Sequence, residues 1–166
     1  MKDIQIIDNF LDEDNFRNIQ STLFGENFPW YYSNSVLRGG KDSDYQFTHI
    51  FYFHSQPQSG FYNLLEQCLT KLSVVAPIRI KANLLPKTDA IIQHGFHVDI
   101  EGRKEKHNIT TAILYVNSNN GYTLFEDGTK VESVENRIVL FDSNLRHTGT
   151  TCTEEKVRIV VNFNFF

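Results

Sequence analysis

The sequence predicts a mainly β protein, a sandwich or barrel of short strands with helices packed on one face. Three observations lead there. The 166 residues include 14 Phe, 7 Tyr and 1 Trp, residue types that suit pleated, half-buried surfaces. From residue 109 onward, short apolar runs follow one another with turn residues between them. Before them lie two stretches with helical periodicity, and many short strands after two helices describe a layered β architecture.

Ile4 to Ile7 reads as a short strand. Asp12 is a plausible N-cap for a first helix, in which Phe16, Ile19, Leu23 and Phe24 recur at helical spacing until Gly25. A second helix is expected where Phe61, Leu64, Leu65, Cys68, Leu69 and Leu72 form one apolar stripe. Both stripes must lie on something apolar, and a sheet is the expected partner. Strands are expected at Phe47 to Phe53 and Ile78 to Leu85. Five more follow at Ile109–Val116, Tyr122–Glu126, Thr129–Ser133, Arg137–Phe141 and Lys156–Phe165. Asn119-Asn120-Gly121 and Asp127-Gly128 supply turns, the latter suited to a tight hairpin.

Size and charge narrow the class. A chain of 166 residues fits one domain, with helices over 12–73 supporting a β core over 78–166, and can bury a core without staples. The net charge of −4 and the lack of any basic run argue against a general nucleic-acid binder. Cys68 falls on the helical stripe and Cys152 in a polar stretch, which gives neither a disulfide framework nor a zinc spacing. The first residues lack the apolar core of a secretory signal. No apolar run approaches the ~20 residues that span a bilayer. The expectation is a cytoplasmic protein.

Chemistry enters at His97-Val98-Asp99. On an extended strand, residues i and i+2 share a face, so both side chains can reach one metal. The pair alone is weak: six His and ten Asp in 166 residues give about 0.4 such pairs by chance. A second histidine, His147, stands in Arg146-His147-Thr148-Gly149. Two imidazoles and one carboxylate on one triangular face of an octahedron leave three positions open, the ligand set of non-haem Fe(II) oxygenases. Arg158 lies 158 − 147 = 11 residues further on, within Val157-Arg158-Ile159-Val160-Val161-Asn162-Phe163. If Val157, Ile159 and Val161 face one way, Arg158 and Asn162 face the other, and a buried arginine needs an anion. His94 is three residues before His97, an offset that on a strand points it to the opposite face. His49 and His54 read as core or surface residues. The charged segment Glu101 to His107 reads either as a solvated loop or as a lid that touches substrate.

Taken together, these elements resemble the Fe(II)/2-oxoglutarate-dependent dioxygenases, and within them the prolyl 4-hydroxylase-like branch. The resemblance covers about residues 78–166. It runs through His97-x-Asp99, Thr110 to Asn117, Gly121 to Phe125, Arg137 to Ser143, His147-Thr148-Gly149 and Val157-Arg158. It implies a double-stranded β-helix, or jelly roll, flanked by helices. It also implies iron held by His97, Asp99 and His147, with Arg158 on the far carboxylate of the co-substrate 2-oxoglutarate. By the same resemblance Tyr115 places a hydroxyl on that carboxylate, Asn162 lines the co-substrate pocket, and Asn83 stands near its metal-bound end. O2 and a small-molecule or peptide substrate complete the expected partners.

Two positions depart from the pattern. Leu85 stands where many members carry a tyrosine, and the usual Gly-Gly-Glu-Thr stretch is reduced to Gly121-Tyr122-Thr123. Asp99 is a true carboxylate, whereas halogenating relatives have a small residue there, so hydroxylation is the expected outcome. Charge closes on this assignment: Fe(II) +2, Asp99 −1, 2-oxoglutarate −2 and Arg158 +1 sum to zero. Without Arg158 the distal carboxylate would be buried unpaired, at a cost of several kcal/mol. The alternatives are a cupin-like non-redox metal enzyme, which needs no Arg158, and a jelly-roll binding module without catalysis.

Overall fold

A computed structural model describes residues 4–37, 45–100 and 109–166. The expected lid segment 101–107 lies outside the described residues.

Two antiparallel sheets face each other. The larger has the spatial order β1 (Gln5–Ile7), β9 (Arg137–Asp142), β6 (Thr110–Tyr115), β11 (Val157–Phe165), β5 (Pro77–Pro86), β3 (Gln46–Phe53) and β2 (Tyr31–Ser33), with β4 (Gln56–Pro57) paired to β3. The smaller has the order β10 (His147–Gly149), β7 (Tyr122–Phe125) and β8 (Lys130–Glu132). This is a double-stranded β-helix with helices on one side, the fold class expected from the sequence.

Period-two alternation along the large sheet sorts side chains into two cores. Ile80 and Ala82 of β5, Ala112 and Leu114 of β6, Ile138 of β9, and Ile159, Val161 and Phe163 of β11 face the helices. There they meet Phe16, Ile19 and Leu23 of α1 (Glu13–Phe24), together with Leu65 and Cys68. The opposite face carries Ile113, Tyr115, Val139, Phe141 and Val160, which pack against Phe125 and Val131 of the small sheet. Arg158 and Asn162 lie on this second face, as the alternation of β11 required.

Local signals account for most boundaries. The Asp12 carboxylate accepts the Asn15 N–H at 3.0 Å, Glu13 and Asp14 sit in the positive first turn, and Gly25 ends the helix. The Asp127-Gly128 hairpin forms as expected, with Gly128 at φ 91° in the left-handed region that glycine tolerates. His49 takes a core role, bonded to Pro29 O at 2.8 Å and Ser59 Oγ at 2.7 Å among Phe28, Phe51 and Phe61. Both cysteines are buried and free.

Two expectations need correction, and three short strands were not foreseen. The second helical stripe is one tight 3-10 turn, Tyr62–Leu65, followed by α2 (Glu66–Lys71). No side chain caps its start, so backbone i→i+3 bonds such as Leu64 N–H to Phe61 O close the first turn. Strands β2, β4 and β10 are too short for an alternation pattern to announce. His97-x-Asp99 does not lie on a regular strand either. His97 forms a lone antiparallel bridge with His147, and the chain bends at Asp99. Among the described residues no helix is long and apolar enough to cross a membrane.

Candidate metal centre and anion pocket

The two segments that carry the candidate ligands are joined backbone to backbone. His97 N–H donates to His147 O at 2.9 Å, and His147 N–H donates to His97 O at 3.0 Å. Two residues that exchange both bonds are direct cross-strand neighbours, with side chains on the same face. The imidazole centroids are accordingly 4.7 Å apart. Asp99 joins them, its Oδ1 lying 3.7 Å from His97 Nε2 and its Oδ2 4.0 Å from His147 Nε2. One donor atom from each of the three lies within 4.8 Å of the others.

The surroundings prepare each donor. His97 Nδ1 faces Gly95 O at 3.2 Å and His147 Nδ1 faces Leu145 O at 3.1 Å. A carbonyl can only accept, so each Nδ1 carries a proton, and the neutral form of either ring then has its lone pair on Nε2. Burial lowers the His147 pKa, the Asp99 charge opposing it, which favours the neutral, ligating imidazole. Burial alone would favour a protonated Asp99. Its partners, the Arg79 guanidinium and the His97 and His147 rings when these carry a second proton, instead hold it well below the usual carboxylate range. Arg79 Nη2 stands 3.1 Å from Asp99 Oδ1, and Asn164 Nδ2 donates to Oδ2 at 3.2 Å. Arg79 Nε in turn donates to Asn164 Oδ1 at 3.1 Å, so the carboxylate is clamped from behind.

The donor set fits a divalent first-row metal such as Fe(II). Ligand bonds of about 2.0–2.2 Å place neighbouring donors about 3 Å apart in an octahedron. Closing separations of up to 4.8 Å requires side-chain movements of about 1 Å per donor.

The triad borders a cavity of about 460 Å³ between the two sheets, within the range of about 300–1,000 Å³ usual for ligand pockets. Arg158 lines it too, six residues along β11 from Asn164, or about 20 Å of strand at about 3.3 Å per residue. Its Nε donates to Ser133 Oγ at 2.8 Å and its Nη2 approaches Thr123 Oγ1 at 3.4 Å. Both Nη1 hydrogens and one Nη2 hydrogen have no partner among the described residues, and no described carboxylate pairs with the group. Burial lowers the pKa of this guanidinium, whose side chain belongs to a residue only 3% exposed. A cation held this way calls for an anion.

Of the other residues singled out from the sequence, Asn83 and Asn162 line the cavity, and Asn162 Oδ1 is buried without a hydrogen-bond partner among the described residues. Tyr115 stands one step back. Its hydroxyl donates to Thr123 Oγ1 at 2.8 Å, and Thr123 rather than Tyr115 faces the cavity. Leu85 lines the wall as β11's Arg158 pairs with it in register. His94 was expected on the opposite face, yet it lines the same cavity, because residues 91–96 lack the regular pleat that the offset argument assumed. Arg79, Lys81, Thr123 and Ser133 escaped the sequence reading. The period-two row Arg79, Lys81, Asn83, Leu85 on β5 was the signal that could have found the first two.

No family model matches the sequence and no curated protein matches it. Solved structures do share the fold. A 2OG-Fe(II) oxygenase family oxidoreductase from Burkholderia pseudomallei superposes with TM-score 0.69 at 12% identity, covering 98% of this chain and 84% of that one. A viral collagen prolyl hydroxylase from Paramecium bursaria Chlorella virus-1, in complex with 2OG, gives 0.64 at 12% identity, covering 97% and 93%. A Pseudomonas putida prolyl-4-hydroxylase gives 0.61 at 15% identity, covering 98% and 91%. The architecture is therefore that of the 2OG-Fe(II) oxygenases.

Proposed function

We propose that this chain is an Fe(II)- and 2-oxoglutarate-dependent dioxygenase, a single catalytic unit that hydroxylates a peptidyl prolyl residue or a small amino-acid-like substrate. One observation carries the reading. A two-histidine, one-carboxylate cluster and a buried arginine without an anionic partner among the described residues line the same cavity. A cupin-like metal enzyme would have no use for the second feature, and a binding module for neither.

In this reading His97, Asp99 and His147 hold iron through Nε2, a carboxylate oxygen and Nε2. Bound iron with 2-oxoglutarate supplies oxidative decarboxylation of the co-substrate coupled to oxidation of a C–H bond. The protein's residues do the placing. Arg158 grips the distal carboxylate with its free N–H fork, which a lysine could not reproduce. Ser133 and Thr123 fix the plane of that fork, Tyr115 orients the Thr123 hydroxyl, and Asn162 and Asn83 border the chain of the co-substrate between the two ends. Val160 and Leu85 exclude water along that path. The prolyl hydroxylases among the similar structures support a prolyl substrate by analogy.

The test is anaerobic. Adding Fe(II) and then 2-oxoglutarate should produce a weak visible charge-transfer band, and admitting oxygen should yield succinate. A protein that binds Fe(II) but gives no band and no saturable 2-oxoglutarate binding would return the assignment to the cupin-like reading.

A further inference from the structure

Among the described residues, the cavity wall carries more positive charge than iron and co-substrate consume. Its charged lining residues among the described ones are Arg79, Lys81 and Arg158 against Asp99 alone, which is +3 − 1 = +2. Fe(II) and dianionic 2-oxoglutarate cancel each other, so the excess of two remains when both are bound. Arg158 has its anion in the co-substrate and Arg79 has Asp99 at 3.1 Å. Lys81 has neither. It makes no hydrogen bond and no ion pair with any described residue, although it is only partly exposed and lines the cavity.

Its position separates it from the arginine end. In the β5–β11 register Leu85 faces Arg158, Asn83 faces Val160, Lys81 faces Asn162 and Arg79 faces Asn164. Lys81 therefore lies toward the metal end, next to the arginine that clamps Asp99 and two positions beyond Asn83. Burial, with the Arg79 charge adding to it and Asp99 opposing, brings its pKa down to about 8. That is the behaviour of an ammonium whose counter-ion has yet to arrive. Val36, Leu37, Phe96 and Val98 supply an apolar wall in the same cavity.

Resting on the co-substrate reading above but replacing its prolyl substrate, we propose that Lys81, backed by Arg79, binds a carboxylate on the substrate, so that the enzyme acts on an acidic amino acid or on an acidic residue within a peptide. A neutral substrate would leave a partly buried cation without a partner beside the reaction centre.

The probes are L-aspartate and L-glutamate, each free and as the central residue of a capped tripeptide, with L-asparagine and L-glutamine in the same two settings. Mn(II) replaces Fe(II), 2-oxoglutarate is saturating and oxygen is absent, so calorimetry reads binding and not turnover. At least one carboxylate probe should bind about 10-fold or more tightly than its amide counterpart, and the free or peptide form that wins identifies the source of the acid. Lys81→Gln should bring carboxylate and amide within about 2-fold of each other while 2-oxoglutarate affinity stays as in wild type. Lys81→Arg, which keeps the charge, should retain the preference. Equal binding of carboxylate and amide by wild type, or no binding of any carboxylate probe, overturns the proposal. So does a Lys81→Gln variant that loses 2-oxoglutarate, since Lys81 would then belong to the co-substrate. Failure of wild type to bind 2-oxoglutarate at all sinks the dioxygenase reading instead.

Discussion

Arg158 shows how much one side chain can specify. On a central strand, among Ile159, Val160 and Val161, it would be an expensive residue unless its charge were used. Breaking a buried charge pair costs about 3–5 kcal/mol. Arg158→Ala should therefore weaken 2-oxoglutarate binding by about 150- to 5,000-fold, with Fe(II) content unchanged by metal analysis. Unaltered 2-oxoglutarate affinity would remove Arg158 from the co-substrate. Gly121 bears on the same group from the other side. A Cβ there would stand 2.6 Å from Arg158 Cδ and 2.8 Å from the Thr151 carbonyl oxygen. Both contacts are too short to survive, so the arginine and the backbone around Thr151 must shift together. Gly121→Ala should raise the 2-oxoglutarate dissociation constant by about 10-fold or more in a protein that still binds iron, measured by the same titration.

At the scale of elements, the loop before α1 and the turn before β9 hold one another through Asn136. Its side chain accepts Leu11 N–H at 2.9 Å and donates to Leu11 O at 2.8 Å, while its backbone sits at φ 57°. Asparagine tolerates that left-handed conformation better than alanine does. Asn136→Ala should lower unfolding free energy by about 2–3 kcal/mol from strain and two lost hydrogen bonds, read as a shifted urea midpoint.

The same elements show what the sequence made legible. Alternation along β11 and β6 was regular enough to separate the helix face from the cavity face, and with it to aim Arg158 and Asn162 inward. Asp12, Gly25 and Asp127-Gly128 marked boundaries because their chemistry is local. His94 misled for the converse reason. Its neighbours 91–96 are held by isolated tertiary bonds, such as His94 N–H to Gly149 O at 3.2 Å, which have no period to detect. Strand β10 exists because β7 and the His97 bridge flank it, and three residues carry no pattern of their own. Lys81 lay in plain view on a period-two row, but a cation on a strand reads as solvated until the second sheet is known to cover it.

For the molecule as a whole, the large sheet is a partition between a structural core and a chemical one. Cys68 lies wholly on the structural side, fully buried, and burial pushes its thiol from an ordinary 9.0 up to about 12. Below pH 9 the thiol is neutral whether the chain is folded or not, so its contribution is fully present. As pH rises from 9 toward 12 the unfolded chain ionises first, and stability falls by up to about 1.4 kcal/mol per pH unit. Denaturation midpoints from pH 8 to 10.5 should drop more steeply in wild type than in Cys68→Ala. Equal slopes would place the thiol elsewhere.

The mutual backbone bonds of His97 and His147 have a practical corollary. Because main-chain pairing rather than the ion brings the imidazoles side by side, a chelator should empty the centre without melting the protein. Far-ultraviolet circular dichroism should be unaltered after dialysis against EDTA, and ferrous salt should restore function within the time of mixing. Preparations that arrive inert after purification would then be starved of metal, not misfolded.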